Sequence, residues 1–367
     1  MTNPLVHERW LMMAQGQRQR HFEKILADRQ ERITREARAR WTGEELRDPL
    51  IGQMSSGCYE DLHLVSPNDL SFITVKPSFL GPSPPHFDVF ASGCREGSLA
   101  IVQSIVTAAC TPTPAFLHHG LCLALRAGNT EVARYLLDND APIVRETPRN
   151  ILSAPVDQQI SLFELFLGYG WTPNAPGLYG AVILPSILTN HTLLQWFLAH
   201  GANPNLGNQQ GYRYGESNAN SCTCLEKAAY NGDVESLRML LDAGAVIQNG
   251  FPLHRAAAAC PPGSNPHVGP VTPSKDFDTS RIPVMALLVE RGADINQKQG
   301  PQTGNVVSGY AINEAVMAGA VKRVRWLLEH GADPTKKGPW GSAMEYASRL
   351  GSDEMRTVLR DGGHARD

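Results

Sequence analysis

The residues best suited to contact another molecule stand together at Tyr212-Arg213-Tyr214. Tyrosine and arginine each join a large contact area to a polar tip, and both concentrate where binding energy is made. The blander use of the two tyrosines is to fold back onto a neighbouring loop. A second group, His267, Lys275, Asp276 and Asp278, falls within one Pro-, Gly- and Ser-rich stretch. If that stretch closed over a pocket, these side chains would supply an acid, a base and charge. A polar loop of such composition is more often solvated. There is no nucleophile elbow, Walker A loop, Gly-rich dinucleotide turn or His-Glu-x-x-His. No catalytic residue is therefore assigned, and no cofactor is expected.

Twelve histidines and seven cysteines invite a metal reading. Cys222-x-Cys224 is tighter than the usual zinc spacing, and no paired Cys/His set follows at a suitable distance. His118-His119 stands at the start of a short helix, where capping or exposure is the expectation. No metal site is expected.

The chain that must position these groups has 367 residues, 42% of them hydrophobic and 19% charged. That excludes a wholly disordered chain. No apolar run is long enough to predict a transmembrane helix. A net charge of −3 makes no electrostatic case for nucleic acid. An odd cysteine count in so long a chain points to a reducing, intracellular setting, cytoplasmic or nuclear. Met1 to Gln15 lacks the apolar core of a secretory signal. Glu23, Asp28, Glu31 and Glu36 in the Arg-rich stretch that follows argue against a mitochondrial presequence.

Self-comparison exposes a repeat. Six dipeptides recur as markers: Asp140-Ala141, Gly170-Trp171, Gly201-Ala202, Gly244-Ala245, Gly292-Ala293 and Gly331-Ala332. Four and three residues before them lie Leu136/Leu137, Phe166/Leu167, Phe197/Leu198, Leu240/Leu241, Leu288/Val289 and Leu327/Leu328. Seven before lie Ala133, Phe163, Leu194, Leu237, Met285 and Val324. All are apolar, and the offsets place them on one helix face. Glycine in most marker slots predicts a left-handed helix end. A shorter, Ala-rich helix precedes several of these, as in Leu121–Gly128, Leu225–Gly232 and Ala311–Gly319. The glycine reverses the chain, and small side chains let neighbouring units approach.

Phe251-Pro252-Leu253-His254-Arg255-Ala256-Ala257 resembles the Thr-Pro-Leu-His-x-Ala motif of ankyrin repeats. Residues 127–137 and the Leu-Leu or Leu-Val endings before Gly-Ala-Asp at 288–294 and 327–333 are similar to that family's pattern. The resemblance covers roughly residues 87–363. It implies an all-α ankyrin-repeat solenoid of about eight helix-turn-helix units, some of them degenerate. It also implies structural roles for His200, His254 and His330. Phe251 stands where the family's capping Thr would be.

Successive markers are 30, 31, 43, 48 and 39 residues apart, against a family period of about 33. The short steps leave little room for a finger between the third and fourth units. The long steps predict insertions at 207–220 and 297–309 in fingers. A third, at 261–281, separates the two helices of one unit at the opposite edge. Residues 1–50 read as a charged helical segment, with nine Lys/Arg against five Asp/Glu in 1–40. Residues 51–86 read as a Pro/Ser-rich linker or cap, and the last unit has a polar outer helix suited to capping.

For this family the expected role is a scaffold or adaptor that binds a partner protein through its concave face and fingers. The identity of that protein is open. The alternative is an enzyme or small-molecule-binding protein, its pocket built from the inserts and N-terminal segment on the ankyrin frame.

Overall fold

A computed structural model describes residues 87–108, 114–143, 145–209, 216–299, 309–339 and 341–364. The segments read as 1–50 and 51–86 lie outside the described residues, except that 87 onward begins the first helix. Among the described residues the structure is helical, with only two isolated backbone bridges, Gly207 to Asn218 and Gly338 to Gly341. The chain divides into two compact units, Met1–Trp171 and Thr172–Asp367.

In the first unit, α1 (Phe87–Glu96) pairs with α2 (Leu99–Ala108), and α3 (Pro114–Ala127) with α4 (Thr130–Asp138). A 3₁₀ segment, Thr147–Ser153, stands in place of a first helix before α5 (Val156–Gly168). First elements stack on first elements, α1 on α3 and α3 on the 3₁₀ segment, while α2, α4 and α5 form a second row. Neighbouring first helices approach closely. A Cβ on Gly120 would lie 2.5 Å from the Phe90 ring. Asn129, in the turn before α4, donates from Nδ2 to the carbonyls of Cys94 and Arg95 at the end of α1.

The second unit repeats the plan. A 3₁₀ turn at Leu184–Ser186 precedes α6 (His191–Ala199), then come α7 (Thr223–Asn231) and α8 (Val234–Asp242). α9 (Pro252–Ala258) is separated from its partner α11 (Ile282–Glu290) by an insert that carries the short α10 (Lys275–Thr279). α12 (Ala311–Met317) with α13 (Val321–Glu329), and α14 (Ala343–Leu350) with α15 (Asp353–His364), complete the series. The first helices α7, α9, α12 and α14 stack in order. These helices carry Ala228, Ala229, Ala256, Ala257, Ala311, Ala315, Ala343 and Ala347, all buried. Small side chains at these sites set the repeat spacing.

The recurring apolar positions form the core. Every residue seven or four before a marker, from Ala133 and Leu136 to Val324 and Leu327, is 0% exposed. The residues three before lie at the boundary, buried or half-buried. All six marker residues have positive φ, from 66° at Asp140 to 100° at Gly331. Asp140 is the one non-glycine, and a carboxylate side chain tolerates that region better than most. The two short steps in the spacing resolve differently from the sequence expectation. The residues are taken from the first helix, reduced to 3₁₀ segments at 147–153 and 184–186, and not from the loop between units.

Candidate partner-binding surface

The finger that carries Tyr212-Arg213-Tyr214 rises between α6 and α7, and these three residues lie outside the described residues. The described stem, on either side of them in sequence, is held by backbone bonds. Gly207 and Asn218 exchange both backbone hydrogen bonds, at 3.0 and 2.9 Å. Ser221 packs so tightly that a Cβ on Gly207 would meet its hydroxyl at 2.0 Å, so only glycine fits. The preceding loop braces the stem: the Gln209 N–H donates to Tyr179 O at 2.7 Å, and Ser217 Oγ donates to Gly180 O at 2.6 Å.

Under the stem, against the start of α7, opens a polar groove of about 660 Å³. Gln209, Asn218, Asn220, Thr223, Glu226 and Asn249 stand on its walls. The Glu226 carboxylate is already engaged. It accepts from the Phe251 N–H at 2.9 Å and faces Arg255 at 3.7 Å. This contact supplies the first turn of α9 with an acceptor, because Phe251 offers none of its own where the family has Thr. The Phe251 ring instead packs edge-on against His254. Amides and hydroxyls of this kind pair with peptide groups; Cys222 also lines the groove close to Glu226, and burial pushes its thiol well up.

A recurring asparagine ties each finger base to the next. Asn174, Asn205 and Asn296 each stand four residues past a marker glycine. Their Nδ2 groups donate to the carbonyls of Gly201, Gly244 and Gly331 at 2.8, 2.9 and 2.9 Å. Their Oδ1 atoms accept from the N–H groups of Asn203, Val246 and Asp333 at 2.8, 2.8 and 2.9 Å. The sequence reading passed over these residues, although their fixed offset from the markers was there to find.

The four residues of the 261–281 insert do not meet around a pocket. His267, Lys275 and Asp276 are exposed, while Asp278 is buried. Its carboxylate accepts from Arg323 Nε at 2.8 Å and from the backbone N–H groups of Lys322 and Arg323 at 2.6 and 3.3 Å. It thus caps α13 from another segment and neutralises an arginine that is 0% exposed. Most of 262–276 is exposed, but the end of the insert folds onto the repeats: α10 packs on α13, and Ser274 caps α10 by accepting from Phe277 N–H.

No protein-family model and no curated protein matches the chain. Among solved structures it is similar to the ankyrin repeat domain of Bcl-3, a member of the IkappaB protein family, at 19% identity and a TM-score of 0.39. That match covers 66% of this chain and 85% of the other. It is also similar to the human ASB11 ankyrin repeat domain, at 16% identity and a TM-score of 0.37, over 74% of this chain and 96% of the other. What identifies the fold is the chain's own recurrence of short helix, left-handed glycine, second helix, left-handed marker and finger. The recurrence is that of a helical repeat solenoid of ankyrin type.

Two of the repeat units share a further detail. His200 and His330 stack on Trp196 and Trp326 with ring centroids 4.0 and 3.9 Å apart. Each Nδ1 lies 2.8 Å from the tryptophan carbonyl, which an N–H there satisfies. His254 is enclosed, and burial draws its imidazole down to about 4, against the opposing pull of the Gly309 and Gln297 backbone.

In the first compact unit a Cys, a His and an Asn from successive repeats come together. His118 Nε2 lies 2.9 Å from Thr147 Oγ1 and 3.5 Å from Cys122 Sγ. Asn150 Nδ2 donates to Cys122 Sγ at 3.5 Å and to Thr147 O at 3.0 Å, while its Oδ1 accepts from Arg126 Nε at 2.7 Å. The residue types are those of a thiol nucleophile with its base, yet the environment opposes that chemistry. Burial pushes the Cys122 thiol up to about 12, and burial, helped by the charges of His119 and Arg126, draws His118 down to about 3. The group is a neutral network inside the core, and the sequence reading of His118 as a cap or exposed residue gives way to it.

All described cysteines are free and buried. Among the described residues no three His, Cys, Asp or Glu side chains converge to hold a metal ion. No described helix is long and apolar enough to cross a membrane.

Proposed function

We propose that the protein is a recognition scaffold that binds a partner protein along its fingers and first-helix face, with the 207–220 finger as the principal contact. The observation that supports this reading is the rigid stem. Reciprocal Gly207/Asn218 bonds and the Asn205 clamp hold the base of the finger before any partner arrives. Association then costs little ordering entropy at that base. Tyr212 and Tyr214 supply contact area, Arg213 supplies charge, and the amide-lined groove beside the stem accepts peptide groups.

Affinity capture from native cell extract, read by mass spectrometry, tests the proposal. Wild type is compared with a Tyr212→Ala/Arg213→Ala/Tyr214→Ala variant shown by its melt to be folded. A protein held by wild type and lost by the variant supports the reading. Equal capture by both removes the finger from the interface.

A further inference from the structure

Three Thr-Pro pairs lie among the described residues, at Thr147-Pro148, Thr172-Pro173 and Thr272-Pro273. Their surroundings differ. Thr147 is 0% exposed, and its hydroxyl lies 2.9 Å from His118 Nε2. Thr172 is exposed, but its carbonyl accepts from the Ala175 N–H and closes a turn, and Pro173 is buried. Thr272 is exposed and belongs to no helix or turn.

Thr272 sits on a strip of extended chain. A proline pushes the residue before it out of the helical region, and Ser274 is extended at φ −63°, ψ 154°. Exposure alternates as it does along a strand: Pro270, Thr272 and Ser274 are exposed, while Val271 and Pro273 are half-buried. The half-buried pair lies on the turn after α12, where a Cβ on Gly319 would run into Val271 O and meet Pro273 Cδ at 3.4 Å. Thr272 therefore faces away from the repeats, and its hydroxyl has no hydrogen-bond partner among the described residues. Ser274 differs, since its Oγ accepts from Phe277 N–H as the cap of α10. Among the described residues no backbone hydrogen bond holds 270–273, so lifting the strip breaks packing alone. A free hydroxyl on extended, easily lifted chain suits the cleft of a protein kinase. Proline carries no N–H, so it fills an apolar pocket beside that cleft without stranding a donor. Lys275, three residues past Thr272, is exposed and offers a cation to an acidic or phosphorylated kinase surface.

We propose that Thr272 is a phosphorylation site for a proline-directed serine/threonine kinase. The γ-phosphoryl group of ATP passes to Thr272 Oγ1. The new O–P bond forms as the bond from the γ-phosphorus to the bridging oxygen breaks, ADP leaves, and the hydroxyl proton goes to the catalytic aspartate of the kinase. The product carries close to two negative charges. Contact with Gly319 is made by the other face of the strip, so the charge is displayed and the repeats keep their packing. No part of the finger enters this argument, and the site stands or falls independently of the finger contact.

The test incubates the folded, full-length protein in native cell extract with magnesium, ATP and phosphatase inhibitors, and maps phosphate by mass spectrometry. Thr272 becomes phosphorylated, while Thr147 and Thr172 do not. Pro273→Ala, shown by its melt to be folded, is modified at Thr272 at least about tenfold more slowly. A purified proline-directed kinase then modifies the folded protein within about tenfold of its rate on a synthetic peptide of residues 264–280. The phosphorylated protein melts within about 2 °C of the unmodified one. Phosphate at other residues with none at Thr272 overturns the site. An unchanged rate in Pro273→Ala overturns the class of kinase, and modification of the peptide but not of the folded protein overturns the display of Thr272.

Discussion

Replacing Asp278 with alanine is the sharpest test of how the insert is built into the repeats. The carboxylate has three donors, two of them backbone N–H groups at the start of α13 and one the Nε of Arg323. Arg323 is 0% exposed and cannot turn to water. Removing one partner of a buried ion pair while stranding the other costs about 3–5 kcal/mol, and loss of a helix cap by itself costs about 1 kcal/mol. The two overlap, because the same carboxylate does both, so about 3–5 kcal/mol is the expected total. Asp278→Ala combined with Arg323→Met should recover most of this, since the stranded charge is gone and the methionine stem still packs. Urea unfolding of wild type, both single variants and the double variant gives the four free energies. A loss below about 1 kcal/mol for Asp278→Ala, or strictly additive losses in the double variant, would refute the reasoning.

Leu240→Ala, at a fully enclosed position on α8, should lower stability by about 2–5 kcal/mol. A thermal midpoint unchanged from wild type would mean that the core is misplaced. At Gly319, whose φ is +66°, an added Cβ would lie 1.9 Å from Val271 O. Gly319→Ala should therefore lift the insert and hasten proteolysis within 261–274, whereas wild-type cleavage kinetics would count against that contact. Cys122, its thiol pushed up to about 12 by burial, should resist a thiol reagent at pH 8 until the protein unfolds; rapid native labelling would contradict the neutral network. His118 and His254 are held in the folded state near about 3 and about 4, below the usual 6.5. The unfolded chain then binds more protons between those values, so stability is complete above the usual value and declines as pH falls through it. The slope is roughly 1.4 kcal/mol per pH unit for each histidine, and His118→Gln should flatten it in an acid titration of stability.

The repeat itself was legible because it is written in periodic apolar residues. Ala133, Leu136 and their counterparts in five other units announce one helix face each, and a left-handed residue, glycine in all but the unit ending at Asp140, returns after every one. Helix-end chemistry such as Gly128, Gly232 and Gly319 was readable for the same reason. Asn174, Asn205 and Asn296 were as periodic, but a polar residue in a loop has many bland uses and drew no attention. The network of His118, Cys122, Thr147 and Asn150 was hidden for a different reason. Its members are 4, 28 and 29 residues apart, and only stacking of the 3₁₀ segment on α3 joins them. Asp278 looked like one of several charges in a polar stretch. Its partner, Arg323, lies 45 residues on, in a helix whose periodicity marks that position as nothing unusual. The short steps in the marker spacing were visible, but arithmetic cannot say whether a missing turn is lost from a helix or from a loop.

The most direct measurement is site-specific photo-crosslinking in native extract. A benzophenone amino acid replaces Thr223, exposed at the mouth of the finger groove, or Arg238, exposed on the outer helix α8. The account predicts a discrete cross-linked protein from position 223 and none from position 238. Cross-links from position 238 alone, or from neither position, would contradict recognition through the finger face.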